Sequence, residues 1–78
     1  MIVKILGSGC ANCHRLEDNA RRALAGLGVD AVVEKVTDPG EIASYGVMRT
    51  PGLVVDEAVL VSGRVPDVAE ITSLLARA

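Results

Sequence analysis

Apolar residues recur along the chain in two rhythms, and the change of rhythm marks the elements. Ile2 to Leu6 is a short, mostly apolar run, the pattern of a buried strand with Lys4 near its edge or end. Gly7-Ser8-Gly9 reads as a loop. From Cys10 onward, Leu16, Ala20, Ala23, Leu24 and Leu27 repeat at helical spacing. Arg15, Glu17, Asp18, Arg21 and Arg22 take the other face. With Gly28 as C-cap, this predicts a helix over Ala11 to Leu27 with Cys10 at its N-terminus.

The valine-rich segment Asp30 to Val36 predicts a second strand. Two strands joined by a helix form a parallel, right-handed crossover. Thr37-Asp38-Pro39-Gly40-Glu41 carries a helix-start signature: Asp38 or Thr37 can cap, Pro39 suits the first helical position, and Glu41 can close a capping box with Asp38. A short helix follows over Pro39 to Tyr45. Leu53-Val54-Val55 predicts a third strand, Asp56-Glu57 a tight turn, and Ala58 to Val61 a fourth strand antiparallel to the third. Asp67 to Arg77, with Val68, Ile71, Leu74 and Leu75 on one face, predicts a closing helix. The order is β-α-β-α-β-β-α, an α/β unit, and residues 1–78 read as a single domain.

Composition narrows the functional classes. Half of the 78 residues are hydrophobic, yet there is no Trp or Phe and one Tyr, so the core must be aliphatic and no aromatic platform stacks nucleic-acid bases. The net charge is −2 and the signs are interspersed, which argues against nucleic acid or an anionic membrane as partner. The apolar runs are too short to span a bilayer, and the first residues do not form an export signal. The expectation is a soluble, cytoplasmic monomer.

Both cysteines and the one histidine lie in Gly9-Cys10-Ala11-Asn12-Cys13-His14. A pair this close cannot staple a domain, because the loop it closes hardly restricts the unfolded chain. In a reducing compartment it points to catalysis or metal binding. Cys10 at the first turn of a helix meets unpaired backbone N–H groups and the positive end of the dipole, which favours a thiolate. Cys13 lies one turn deeper, poorly placed for a large external partner and well placed to resolve a mixed disulfide on Cys10. Cys10 is therefore expected to attack and Cys13 to resolve. Asn12 and His14 are candidate modulators, although His14 projects about 100° away from Cys13 and reads first as a solvent-exposed residue. Arg49-Thr50-Pro51-Gly52 precedes the third strand, and local sequence alone favours an ordinary trans Thr50–Pro51 bond. Met48 is expected to pack near that loop, Tyr45 to line the core with its hydroxyl at the surface, Arg49 to be solvated, and the Asp56-Glu57 side chains to lack a partner cluster.

GCANC after a first strand, followed by YGVMRTPGLVVD and then Gly63-Arg64-Val65-Pro66 before the last helix, resembles the thioredoxin superfamily. Closer still is the likeness to the small, glutaredoxin-sized thioredoxin-like redox-active disulfide proteins of bacteria and archaea. The resemblance spans the whole chain. It implies a minimal thioredoxin/glutaredoxin-like fold, a four-stranded mixed sheet with helices on both faces. It also implies thiol–disulfide exchange at Cys10 and Cys13 without cofactor or metal. Pro51 would be cis and packed against the active-site disulfide, and the backbone at Thr50 would pair with an extended substrate segment. The implied partners are a disulfide-containing protein and a reductant, either a thioredoxin-reductase-like enzyme or a small thiol. Three features depart from the larger relatives. Gly9 stands where thioredoxins commonly have Trp, Ala11-Asn12 replaces Gly-Pro, and the position comparable to their buried acid falls near Lys4.

Other chemistries fit the cysteines less well. Cys10, Cys13 and His14 form the haem-attachment triplet, but export, a second axial ligand other than Met48 and a haem-sized cleft find no support. A soluble copper(I) carrier using both thiolates is the stronger alternative. Gly9 to Val29 resembles a heavy-metal-associated domain, but Ser8 replaces that family's methionine and the second half of the chain diverges. Structural zinc lacks a fourth ligand. A non-catalytic binding module on the same fold would not need the intact cysteine pair.

Overall fold

The computed structural model describes residues 1–7, 9 and 11–77. Its elements are β1 (Ile2–Leu6), α1 (Ala11–Leu27), β2 (Val32–Val36), α2 (Pro39–Ser44), β3 (Gly52–Val55), β4 (Ala58–Ser62) and α3 (Val68–Arg77). They form a mixed sheet of order β2-β1-β3-β4, with β1 parallel to β2 and antiparallel to β3, and β4 antiparallel to β3.

The ends of the elements follow from local chemistry. At the end of α1, Gly28 (φ +66°) donates to the Ala25 carbonyl and Val29 to that of Leu24, the paired bonds of a Schellman cap. That cap holds the chain past Val29, so β2 begins at Val32, where its N–H donates to the Met1 carbonyl, rather than at Asp30. Asp38 caps α2, but its side chain accepts from Gly40 N–H at 3.3 Å rather than from Glu41, so the expected capping box does not form in its usual way. Asp56 and Glu57 both have positive φ (47° and 70°), the two-residue type I′ geometry that matches strand twist. In β4 the register shifts opposite Leu53 and Val54, leaving Leu60 unopposed as a bulge.

Two cores flank the sheet, one on each face. Val3, Ile5, Leu53, Val55 and Val61 meet α1 (Leu16, Ala20, Ala23, Leu24) and α3 (Ile71, Leu75). On the other face Leu6, Val36 and Val54 meet Ile42 of α2 and Val47, with Tyr45 packed alongside. Alternation along β1 explains the division: Val3 and Ile5 point to the larger core and Leu6 to the smaller. Leu6, Leu16, Leu53 and Ile71 are among the fully buried large side chains, each worth about 1.5–3 kcal/mol of transfer free energy.

Asp67 is the N-cap of α3 rather than its first residue. Its Oδ1 accepts from Glu70 N–H at 2.8 Å, and its carbonyl accepts from Ile71 N–H at 3.0 Å. Asp67→Ala is expected to cost about 1 kcal/mol, lowering the melting temperature by roughly 4–8 °C for a domain of this size. An unchanged thermal melt would show that the cap adds nothing to stability.

Candidate functional site

The sheet end where β1 and β2 finish and β3 starts carries the candidate site. β1 leaves the sheet through Gly7, whose N–H donates to the Val36 carbonyl at 2.9 Å. Cys13 lies in the first turn of α1, is 5% exposed, and is disulfide-bonded. Cys10, expected as the attacking thiol, lies outside the described residues. The backbone of Gly7 runs directly against the Cys13 sulfur: a Cβ added there would sit 2.2 Å from Sγ and 3.7 Å from Cβ of Thr50. Glycine at position 7 therefore lets the strand end pass between Cys13 and the loop before β3.

That loop places Thr50 exposed and Pro51 buried, and the peptide bond between them is cis, as the family resemblance implies and against the trans bond favoured by local sequence. The Pro51 carbonyl accepts from Gly63 N–H at 2.9 Å, which ties the loop to the segment after β4. Asn12 is exposed. Met48 does not pack as expected; it is 95% exposed, because Val47 beside it takes the buried position in the smaller core.

Beside Cys13 a small depression opens over Ile5 and Gly7. His14 and Glu17 face it from α1 and Lys35 from β2. His14 is thus both exposed and at the rim of the site. Glu17 was expected on the polar face of the helix, yet its side chain is only 14% exposed and bridges Arg21 (2.9 Å) and Lys35 (3.1 Å). Burial pushes its pKa up, but the hydrogen bonds from Arg21 and Lys35 outweigh burial and hold it below the usual carboxylate range.

Lys4 lies on the α2 side of β1, an interior strand, and is not beside Cys13 among the residues that line the depression. Its Nζ donates to Glu57 Oε1 at 2.8 Å and to the Tyr45 hydroxyl at 2.7 Å, and it sits 5.4 Å from the Tyr45 ring centroid. The Tyr45 hydroxyl donates to Glu57 Oε2 at 3.1 Å. The hydrogen bond to Glu57, then that to Tyr45, raises the Lys4 pKa; the bond from Lys4, then that from Tyr45, lowers that of Glu57. Asp56-Glu57 is thus the turn expected, and its side-chain partners come from residues distant in sequence. Asp56 Oδ1 also accepts from Ile2 N–H at 2.8 Å. These contacts tie the turn to β1 and α2 at the end of the sheet opposite the site.

Gly7, Glu17 and Lys35 are the site residues that the sequence pattern did not single out. Glu17 follows Cys13 by four positions on a helix, which puts both on one stripe. That spacing is the available signal for Glu17; the placements of Gly7 and Lys35 depend on the folded sheet.

A family model described as a thioredoxin domain matches residues 1–76. A thioredoxin of Methanothermobacter thermautotrophicus is 44% identical over 75 residues, covering 96% of this chain and 97% of that protein. A thioredoxin of Methanocaldococcus jannaschii is 39% identical over 71 residues, covering 91% of this chain and 81% of that protein. The fold is an α/β sheet with helices on both faces, and its candidate site pairs a helix-turn cysteine with a Thr-Pro loop. The chain belongs to the thioredoxin family. Its activity is that of a thiol–disulfide oxidoreductase acting on disulfide substrates.

Proposed function

We propose that Cys10 and Cys13 carry the exchange, Cys10 as nucleophile and Cys13 as resolving thiol. The observation that carries this reading is the placement of Cys13: buried in the first turn of α1, disulfide-bonded, and covered by the Gly7 backbone. A sulfur so enclosed is reached by an internal thiolate more readily than by a folded partner. The reduced Cys10 thiolate attacks a substrate disulfide and expels one substrate sulfur as thiolate. Cys13 then attacks Cys10, closing the disulfide and releasing the second substrate sulfur. Two electrons pass to the substrate, and the reductant returns them.

Thr50 and Pro51 form the substrate-binding edge in this reading. Thr50 is exposed and within reach of Gly7, where an extended segment could pair with the main chain. Asn12 and His14, both exposed beside the first turn, modulate the local field. The substrate is a disulfide-containing protein. The reductant is a thioredoxin-reductase-like enzyme or a small thiol, with no further cofactor or metal. No helix among the described residues is long and apolar enough to cross a membrane, and the protein is proposed to act in the cytoplasm as a monomer.

Equilibration in defined thiol buffers, read by the mass shift on thiol alkylation, tests the reading. A cooperative two-electron transition is expected on the order of −270 to −200 mV, the span of thioredoxins and glutaredoxins. Absence of an intramolecular disulfide under moderate oxidation would defeat it and bring the copper(I) carrier forward.

A further inference from the structure

Among the polar residues along the outer side of α1, Glu17 is drawn inward. It shares a stripe of the helix with Cys13, and both line the same depression. Its carboxylate is fixed at both oxygens: Oε1 meets Lys35 Nζ at 3.1 Å, and Oε2 accepts from Arg21 Nη2 at 2.9 Å and Nε at 3.1 Å. Among the described residues lining the depression, the ionisable neighbours of Cys13 are His14 and Glu17 on α1 and Lys35 on β2. β1 and the turn after it contribute Ile5 and Gly7, and the loop before β3 meets Gly7 through Thr50; none of these is charged.

We infer that Glu17, held in place by Lys35 and Arg21, is a positioning residue that keeps the proton on Cys13 in the reduced protein. The inference rests on the reading of Cys10 and Cys13 as the exchanging pair. A carboxylate beside a thiol disfavours the thiolate, and burial of Cys13 acts in the same direction. Hydrogen bonds from Arg21 and Lys35 outweigh burial and keep Glu17 ionised near neutral pH. Lys35 opposes Glu17: its ammonium favours a Cys13 thiolate, and the ion pair limits how far that charge reaches.

The arrangement orders the two steps. In the reduced protein the negative charge resides on Cys10 while Cys13 keeps its proton, so the first attack comes from Cys10. In the second step the Cys13 proton passes to water in the depression. The resulting thiolate forms the bond to Cys10, the bond from Cys10 to substrate breaks, and the substrate sulfur leaves with the electron pair. Glu17 thus leaves the first attack to Cys10, and it contributes no bond of its own.

The test titrates Cys13 alone, in a Cys10→Ser background, by the pH dependence of its alkylation rate. Glu17→Gln removes the carboxylate and leaves Lys35 unopposed, so the Cys13 pKa is expected to fall, on the order of half a unit to one unit. Lys35→Met is expected to raise it. Glu17→Gln keeps the shape of the side chain and Lys35 is exposed, and the opposite signs of the two variants separate a charge effect from a general loosening of the site. Shifts of the same sign, or none in Glu17→Gln, would overturn the inference. The readout needs no exchange activity, so failure of the dithiol reading and failure of the role of Glu17 give different results. Normal two-electron exchange with an unmoved Cys13 pKa removes only the latter.

Discussion

Cys13→Ser should turn the protein into a covalent trap. With the resolving sulfur gone, Cys10 still attacks a substrate disulfide, but nothing internal displaces the partner, and mixed disulfides accumulate. Cys10→Ser should behave differently. The remaining thiol is buried under Gly7 and is 5% exposed, so it meets few partners. Removal of an activated nucleophile is expected to reduce turnover of a disulfide substrate at least about 10³-fold, and few trapped species should form. Non-reducing gels and mass spectrometry of the captured adducts distinguish the variants. Equal trapping by both would refute the division of roles, because it would require Cys13 to be as accessible as Cys10.

Gly7→Ala is expected to have the second large effect, and it should depend on redox state. The added methyl would sit 2.2 Å from the Cys13 sulfur and 3.3 Å from its Cβ, far inside contact distance. Overpacking of this kind typically costs about 1–3 kcal/mol. In the disulfide-bonded form the sulfur is tethered and cannot rotate away, whereas a free thiol can adopt another rotamer. The oxidised protein should therefore lose more stability than the reduced one. A difference of about 1–2 kcal/mol would make the pair easier to reduce by roughly 20–40 mV. Urea unfolding of both forms, together with the redox equilibrium, measures both quantities. Equal losses in the two forms would mean that the methyl is accommodated by backbone movement rather than by the sulfur.

The elements with strong local signals were legible in the chain. The residues of α1 could be read because its apolar spacing is regular and Gly28 supplies a cap that few other residues could. The hairpin was legible because two residues between two valine-rich runs leave only a tight turn. Legibility failed where the deciding contact was distant in sequence. Asp30 and Ala31 look like strand, but the Schellman bonds of Gly28 and Val29 occupy the chain first, and pairing starts at Val32. Glu17 looks like solvent-facing polarity until β2 brings Lys35 beside it. Lys4 looks like the end of a strand until the hairpin turn carries Glu57 back to it. Gly7 looks like ordinary loop glycine, since its sequence neighbours do not show that a sulfur lies against it. Met48 belongs to the same class, because only the placement of Val47 in the smaller core decides that its neighbour faces out.

The inequality of the two cores has a consequence for how the protein accommodates partners. The face built on α1 and α3 is broad, while α2 is a six-residue helix whose buried contribution is Ile42. Segments with few buried apolar contacts open at a free energy below that of global unfolding. Val47, shortly before the Thr50–Pro51 loop, packs in the smaller core, whereas Cys13 is one of the buried residues of α1, the helix that covers the larger one. On the reading of Thr50 and Pro51 as the substrate-binding edge, the side expected to open first is the side that meets the substrate. On the same reading, breadth of clientele is expected to follow from the uneven packing of the two faces rather than from any one contact residue.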